Sequence, residues 1–165
     1  MPKILFVCTG NVYRSPLAAA FFARKLKENK KRKSWMVGSA GTWTVSGRSV
    51  SQDVMLAAQK FKLDLKDHTT YMLDAELVAA QDLILVMERG HKEALSVEFP
   101  SARKKIYLLS EAVDGQEYDI QDPLKSGQNI AALAADISEL IERGYPKIID
   151  WQKRFRFNDY PQVDE

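Results

Sequence analysis

Apolar and polar residues follow one another along the chain in the pattern of alternating strands and helices. Four short apolar runs predict buried strands at Ile4–Val7, Trp35–Val37, Leu83–Val86 and Ile106–Leu109. Uninterrupted apolar runs are typical of parallel strands, which are covered on both faces. Apolar residues at helical spacing predict helices at Leu17–Lys30, Ser51–Phe61, Asp74–Ala80 and Glu88–Val97. This alternation indicates an α/β fold with a parallel sheet.

Other stretches of the chain do not follow this alternation. The small residues Gly38–Gly41 predict a turn after the second strand, and the polar segment Glu111–Gln128 follows the fourth strand. A last helix is predicted to start near Asn129. Its apolar spacing continues past Pro146, and because proline removes a helical hydrogen bond we expect a kink or break around Gly144.

The length and charge of the chain predict one ordinary globular domain. With 165 residues, we expect a single domain over residues 1–155 and a polar C-terminal tail over 156–165. The formal net charge of +2 is too small to indicate a nucleic-acid partner. The basic run Lys30–Lys33 is interpreted as a solvated turn.

The chain has one cysteine, which excludes an internal disulfide and a cysteine-rich metal site. No apolar run reaches the ~20 residues that a membrane-spanning helix needs, and the first residues show no cleavage site of a signal peptide. Since a free thiol is typical of reducing compartments, we expect a cytoplasmic protein that does not bind a membrane.

Candidate chemistry begins at that cysteine, directly after the first predicted strand. The segment Cys8–Pro16 reads Cys-Thr-Gly-Asn-Val-Tyr-Arg-Ser-Pro. Gly10 and Asn11 are residue types that tolerate left-handed backbone conformations, and Pro16 suits the first turn of a helix. A loop of this kind between a strand and a helix can turn its backbone N–H groups toward a bound anion.

The polar side chains of this loop suit phosphate chemistry. The N–H dipoles, the helix start and Arg14 all favour the thiolate of Cys8, the nucleophilic form. The guanidinium of Arg14 can hold two phosphate oxygens at once. The hydroxyl of Ser15 can donate a hydrogen bond to the sulfur and assist its departure.

With this motif, the chain resembles the low-molecular-weight protein tyrosine phosphatases over nearly its whole length. The family motif Cys-x-Gly-Asn-x-x-Arg-Ser-Pro matches Cys8–Pro16. Further resemblance lies in Ser39–Thr42, in Asp82–Met87 with His91, and in Asp122-Pro123. The resemblance implies a three-layer, flavodoxin-like fold, in which a four-stranded parallel sheet has helices on both faces.

The resemblance also implies the reaction and its participants. The cysteine takes the phosphoryl group of a phosphotyrosine-containing protein, and an aspartate protonates the leaving oxygen. Water then releases inorganic phosphate, without a metal or other cofactor. Asp122 matches the family's general acid, and Asp114 and Asp119 are local competitors. Only Asp122 precedes a proline, which stiffens the loop.

Other site residues are carried over from the family one by one. Asn11, Ser15, Ser39 and His68 match positions that brace the loop. The phosphate-binding residues are Thr9, Gly10, Asn11, Val12, Tyr13, Arg14 and Ser15. The substrate pocket is predicted from Val12, Trp43 and Leu124. For Trp43, a packing role at the base of a loop is an alternative. His91 has no assigned chemistry and is interpreted as a solvent-facing helix residue.

The sequence departs from the family at two positions, of which Leu124 bears on the substrate because it thins the wall that would stack on a phenyl ring. Many members have a second cysteine where this chain has Tyr13, and an aromatic residue where it has Leu124. Phosphatases for phosphoarginine carry threonine at the position of Val12, so the valine favours an aryl ester. Arsenate reductases that work with thioredoxin need further cysteines, which this chain lacks. A phosphate-binding protein without activity is the remaining alternative, and the presence of Cys8 and Asp122 argues against it.

Overall fold

The structure, a computed structural model, describes residues 1–158 without the side chains of 152 and 154–158. Its sheet has four strands, β1 to β4, at Lys3–Cys8, Met36–Gly41, Leu83–Val86 and Ile106–Leu108. All neighbouring strands are parallel, and their order is β2-β1-β3-β4. The chain turns to opposite sides after β1 and after β3, so a crevice forms at the carboxyl ends of these two strands.

Helices cover both faces of the sheet, as predicted. The described helices, α1 to α7, are Arg14–Glu28, Gln52–Lys60, Ala75–Ala80, Arg89–Glu98, Leu109–Asp114, Pro123–Ser126 and Ile130–Asn158. Ile4 and Phe6 pack into the core with α1, α2, α5 and α7. Leu5 and Val7 point to the other face and pack into the core with α3 and α4. Because both faces of β1 are covered, every position from Ile4 to Cys8 is apolar.

The second strand is longer than predicted, because the expected turn is part of it. Gly38–Gly41 pairs with β1 up to the pair Cys8 and Gly41. A Cβ on Gly41 would lie 2.6 Å from the carbonyl oxygen of Thr9. These small residues therefore allow the end of β2 to approach the cysteine loop, and the interpretation as a turn was wrong.

The segment that follows β4 also contains more structure than its polarity predicted. Helix α5 starts at Leu109, and the buried residues Leu109, Ala112 and Val113 anchor it in the core. The short helix α6 has Pro123 in its first position, and the carboxylate of Asp122 accepts a hydrogen bond from the Leu124 N–H at 2.9 Å. Both helices are too short for a clear apolar period, so the pattern did not predict them.

The last helix continues without a break through Pro146, so the break expected near Gly144 does not occur. A Cβ on Gly144 would lie 2.4 Å from Cγ2 of Val113. This glycine thus allows α7 to pack closely on α5, and the buried Tyr145 and Ile148 follow it in the core.

The predicted tail at 156–165 lies mostly outside the described residues, and α7 reaches Asn158. The basic run Lys30–Lys33 is exposed, as predicted. Within residues 1–158, no helix combines the length and the apolar character needed to cross a membrane.

Candidate active site

The loop Cys8–Ser15 lies at the crevice between β1 and β3. Cys8 ends β1 with 2% of its surface exposed, and its Sγ lies 3.0 Å from Oγ of Ser15. Asn11 has a φ of 58°, in the left-handed region. Gly10, predicted for the same reason, does not have a positive φ. The tight bend therefore depends on Asn11.

The backbone of this loop is free to bind an anion. Within the described residues, the N–H groups of positions 10–13 donate no hydrogen bond to protein atoms. They immediately precede the N-terminus of α1, a helix of 15 residues. Unpaired N–H groups ahead of a helix N-terminus attract negative charge. The arrangement suits a phosphate group beside the sulfur of Cys8.

Asn11 fixes the shape of the loop through both ends of its side chain. Its Nδ2 donates to Oγ of Ser15 at 2.8 Å and to Oγ of Ser39 at 2.9 Å. Its Oδ1 accepts from the Tyr71 N–H at 2.9 Å. Nε2 of His68 lies 3.0 Å from the carbonyl oxygen of Asn11. The structure thus brings together the four residues predicted to brace the loop.

The position of His68 favours its neutral form. Burial lowers the pKa of its imidazole, and the hydrogen bond to the Asn11 carbonyl opposes that shift. Because a carbonyl oxygen only accepts, Nε2 of His68 carries the proton that it donates.

Arg14 is the buried cation of the site, with 2% of its surface exposed. Its Nη1 donates to the carbonyl oxygen of Ile120 at 2.7 Å and lies 3.1 Å from Oε2 of Glu88. Its Nη2 lies 3.7 Å from Oδ2 of Asp122 and 3.5 Å from Oγ1 of Thr9. The guanidinium therefore connects the cysteine loop with the segment that carries Asp122.

Of the three candidate acids, Asp122 is the one at this guanidinium. Asp119 pairs with Nε of Arg89 at 3.4 Å and accepts from the backbone N–H of the same residue at 2.8 Å. Asp114 pairs with Arg143 at 2.9 Å, and this guanidinium lowers the pKa of the Asp114 carboxyl. Asp114 and Asp119 are thus engaged by other cations, whereas Asp122 lies near the cysteine loop.

The chain is similar in sequence and fold to known proteins. A family model for low molecular weight phosphotyrosine protein phosphatases matches residues 3–155. The chain belongs to this family. A protein-arginine-phosphatase of Geobacillus stearothermophilus is 34% identical over 142 residues, 86% of this chain and 92% of that protein. A probable low molecular weight protein-tyrosine-phosphatase of Erwinia amylovora is 33% identical over 127 residues, 77% of this chain and 83% of the relative.

A solved phosphatase structure has the same fold. It is a mutant arginine phosphatase in which a serine replaces a cysteine and the active-site serine is phosphorylated. It matches with a TM-score of 0.83 at 28% identity, over 93% of this chain and 99% of that chain. Family membership and the expected four-stranded α/β fold are thereby confirmed.

The predicted pocket residues of this phosphatase lie at its surface. Trp43 is 83% exposed and Leu124 is 74% exposed, whereas Val12 is half-buried in the loop. The backbone N–H of Trp43 donates to the carbonyl oxygen of Thr9 at 3.0 Å, next to Cys8. The exposure of Trp43 excludes the alternative of a packing role at the base of a loop.

Two residues at the phosphatase site were not predicted from the sequence. His91 was interpreted as solvent-facing, yet it is 8% exposed and its Nε2 lies 2.8 Å from Oγ1 of Thr9. Glu88, which had no assigned role, contacts Arg14. Both follow β3, whose carboxyl end lies beside that of β1. That topological position was the available signal.

Proposed function

We propose that this phosphatase hydrolyses phosphotyrosine in proteins through a phosphocysteine intermediate on Cys8. The observation that carries the proposal is the buried guanidinium of Arg14, which lies between the cysteine loop and Asp122. A nucleophile, an anion-binding backbone and a proton donor are thus available at one place. The lone free thiol favours a cytoplasmic location.

The first step transfers the phosphoryl group to sulfur. The thiolate Sγ of Cys8 forms a bond to phosphorus while the bond from phosphorus to the phenolic oxygen breaks. Asp122 gives its proton to that oxygen, so a phenol leaves. Arg14 and the backbone N–H groups bind the negative oxygens, whose charge is spread over the transition state.

The second step regenerates the thiolate. Asp122, now a carboxylate, takes a proton from water, and the water oxygen forms a bond to phosphorus. The bond between sulfur and phosphorus breaks, inorganic phosphate leaves, and Asp122 is again protonated. Ser15, whose Oγ lies 3.0 Å from Sγ, donates a hydrogen bond that stabilises the departing thiolate.

An aryl phosphate is the substrate that the rim of the site favours. Val12 presents an apolar β-branched side chain in the loop. Trp43 presents an exposed aromatic ring, and its backbone N–H donates to the carbonyl oxygen of Thr9 in the same loop. A flat phenyl group can pack against both. Phosphoarginine is the second candidate, because an arginine phosphatase is among the similar relatives.

A panel of phosphopeptides tests the proposal. Peptides of one sequence that carry phosphotyrosine, phosphoserine or phosphoarginine are assayed for released phosphate, with Cys8→Ser as the inactive control. We expect the highest kcat/KM for phosphotyrosine. Val12→Thr, which keeps the shape of the side chain, should shift the preference toward phosphoarginine. A parent protein that prefers phosphoarginine would contradict the proposed substrate, and a parent that cleaves none of the three would contradict the activity.

A further inference from the structure

His91 is a buried titratable residue for which the two proposed chemical steps have no use. It lies in the first turn of α4, immediately beyond the carboxyl end of β3. Only 8% of its surface is exposed. A buried imidazole of this kind needs partners for its nitrogens, and the partners identify its role.

The hydrogen bonds of His91 determine its tautomer. The backbone N–H of Glu88 points at Nδ1, with 3.2 Å between the nitrogens. Since that N–H donates, Nδ1 accepts and carries no proton. The proton of the neutral ring is therefore on Nε2, which lies 2.8 Å from Oγ1 of Thr9 and 3.2 Å from Oε2 of Glu88.

These two acceptors contact different amino groups of the Arg14 guanidinium. Glu88 Oε2 is 3.1 Å from Nη1 of Arg14, and Thr9 Oγ1 is 3.5 Å from Nη2. The Nε2–H group of His91 thus contacts both Glu88 and Thr9, the residues that lie at Nη1 and Nη2 of Arg14. The hydroxyl of Thr9 accepts from His91 and Arg14, so its own proton is available to an oxyanion bound in the loop.

We propose that neutral His91 is a positioning residue, which fixes Thr9 and Glu88 around Arg14 and so holds the guanidinium ready for phosphate. This inference rests on the proposed function, because it assigns a role in the same site. His91 itself does not touch the substrate, and acts through Thr9 and Glu88.

Protonation of His91 disrupts this arrangement. An imidazolium donates from both nitrogens, so Nδ1–H would face the N–H of Glu88. Its charge would also compete with Arg14 for the carboxylate of Glu88. The guanidinium of Arg14 is then no longer held in the orientation that binds phosphate, and phosphatase activity falls as the pH decreases.

The surroundings of His91 determine the pH at which its imidazole is protonated. Burial lowers its pKa, as does the positive charge of Arg14, while Glu88, Asp119 and Asp122 oppose the shift. A lowered pKa means that the fold prefers the neutral ring. The contribution of the neutral His91 ring to the free energy of unfolding is complete above ~6.5, the ordinary pKa of histidine in an unfolded chain. This contribution is lost as the pH falls through the lower pKa that His91 has in the folded protein.

Variants at position 91 test the inference through the affinity for orthovanadate, a phosphate-like anion. His91→Leu removes both hydrogen bonds, and we expect about tenfold weaker vanadate binding. His91→Gln supplies an N–H group that does not titrate, so this variant should bind vanadate within about threefold of the parent. For the same reason, the decrease in kcat/KM at low pH that protonation of His91 causes should be absent from it. Glu93→Gln, an exposed change on the same helix, is the matched control.

A double-mutant cycle makes the result specific to the contact with Thr9. Thr9→Val should weaken vanadate binding as His91→Leu does, and the double variant should lose little more. If His91→Leu does not fold, the acid limb of kcat/KM in His91→Gln tests the positioning role on its own. Nitrogen NMR of the imidazole rings can show directly that Nε2 of His91 carries the proton. The chain has two histidines, so the signals that disappear in His91→Gln are those of His91.

The outcomes separate this inference from the proposed function. Parent-like vanadate affinity in a folded His91→Leu variant would overturn the positioning role, whatever the affinity of Thr9→Val, as would an acid limb in His91→Gln identical to that of the parent. A parent protein that cleaves no phosphopeptide but loses vanadate affinity in these variants would keep the positioning role and contradict only the proposed activity.

Discussion

The cysteine loop and the rim around it are held in place in very different ways. The side chain of Asn11 makes two hydrogen bonds that tie the loop to Ser39 and Tyr71, and a third to Ser15 within the loop. Trp43 and Leu124 at the rim are 83% and 74% exposed. A polar network that is fully bonded and buried favours one geometry, whereas exposed side chains are free to adjust to a ligand.

This difference separates chemistry from specificity. The buried loop positions Cys8 and Arg14 in the same way for any phosphate ester. The rim contacts the group attached to the phosphate, and its composition can change without disturbing the loop. Substitutions in the loop should therefore affect every substrate, while those at the rim should affect some substrates more than others.

The largest effect is expected from Cys8→Ser. A serine hydroxyl is not ionised near neutral pH, and the loop contains no base to activate it. Turnover of every phosphate ester should fall to the background of the assay, while circular dichroism shows an unchanged fold. Turnover at the parent rate in this variant would contradict the role of Cys8.

Asp122→Asn should slow the cleavage of phenyl phosphate esters by ~10²-fold or more, because the leaving oxygen then lacks its proton donor. The loss should shrink for esters with very good leaving groups, which need no proton. Asp119→Asn is the matched control and should leave this dependence unchanged. An equal loss for good and poor leaving groups would assign Asp122 a structural role instead.

Asn11→Ala should destabilise the protein by about 1–3 kcal/mol, because Ser15, Ser39 and the Tyr71 N–H lose buried hydrogen bonds. Asn11→Gly loses the same bonds but adopts the left-handed backbone without strain. Urea unfolding of both variants separates the two contributions. A glycine variant as stable as the parent would show that backbone conformation, rather than the hydrogen bonds, determines the choice of asparagine.

The smallest effect is expected at the rim. Leu124→Tyr adds an aromatic surface for the substrate ring, worth about 0.5–1.5 kcal/mol. The KM for aryl phosphates should fall accordingly, and cleavage of alkyl phosphates should not improve. Steady-state kinetics on both ester types decides this. An equal gain for both would place Leu124 outside the pocket.

The fold could largely be predicted because its strands are continuous apolar runs. Leu83–Val86 was predicted with its observed bounds, since burial on both faces leaves no polar position. The strand at Gly38–Gly41 was missed because glycine and serine in sequence favour a turn. Its strand conformation depends on pairing with β1, a contact with residues more than 30 positions away.

The candidate site was predictable where its residues are consecutive in the chain. Cys8–Ser15 forms one loop, so spacing alone places its side chains near one another. His91 contacts Thr9 across 82 positions, and no local pattern distinguishes a buried histidine from an exposed one. Glu88 was missed for the same reason, as its contact with Arg14 depends on the adjacency of β1 and β3.

The most direct test of the account is to identify the phosphorylated atom of the intermediate. Asp122→Asn should still accept a phosphoryl group from an aryl phosphate with a good leaving group, but it lacks the base for the second step, so the intermediate should accumulate. Rapid quenching and peptide mass spectrometry should find one phosphoryl group on Cys8, the only cysteine of the chain. A phosphoryl group on another residue, or product formation without any phosphorylated protein, would contradict the account.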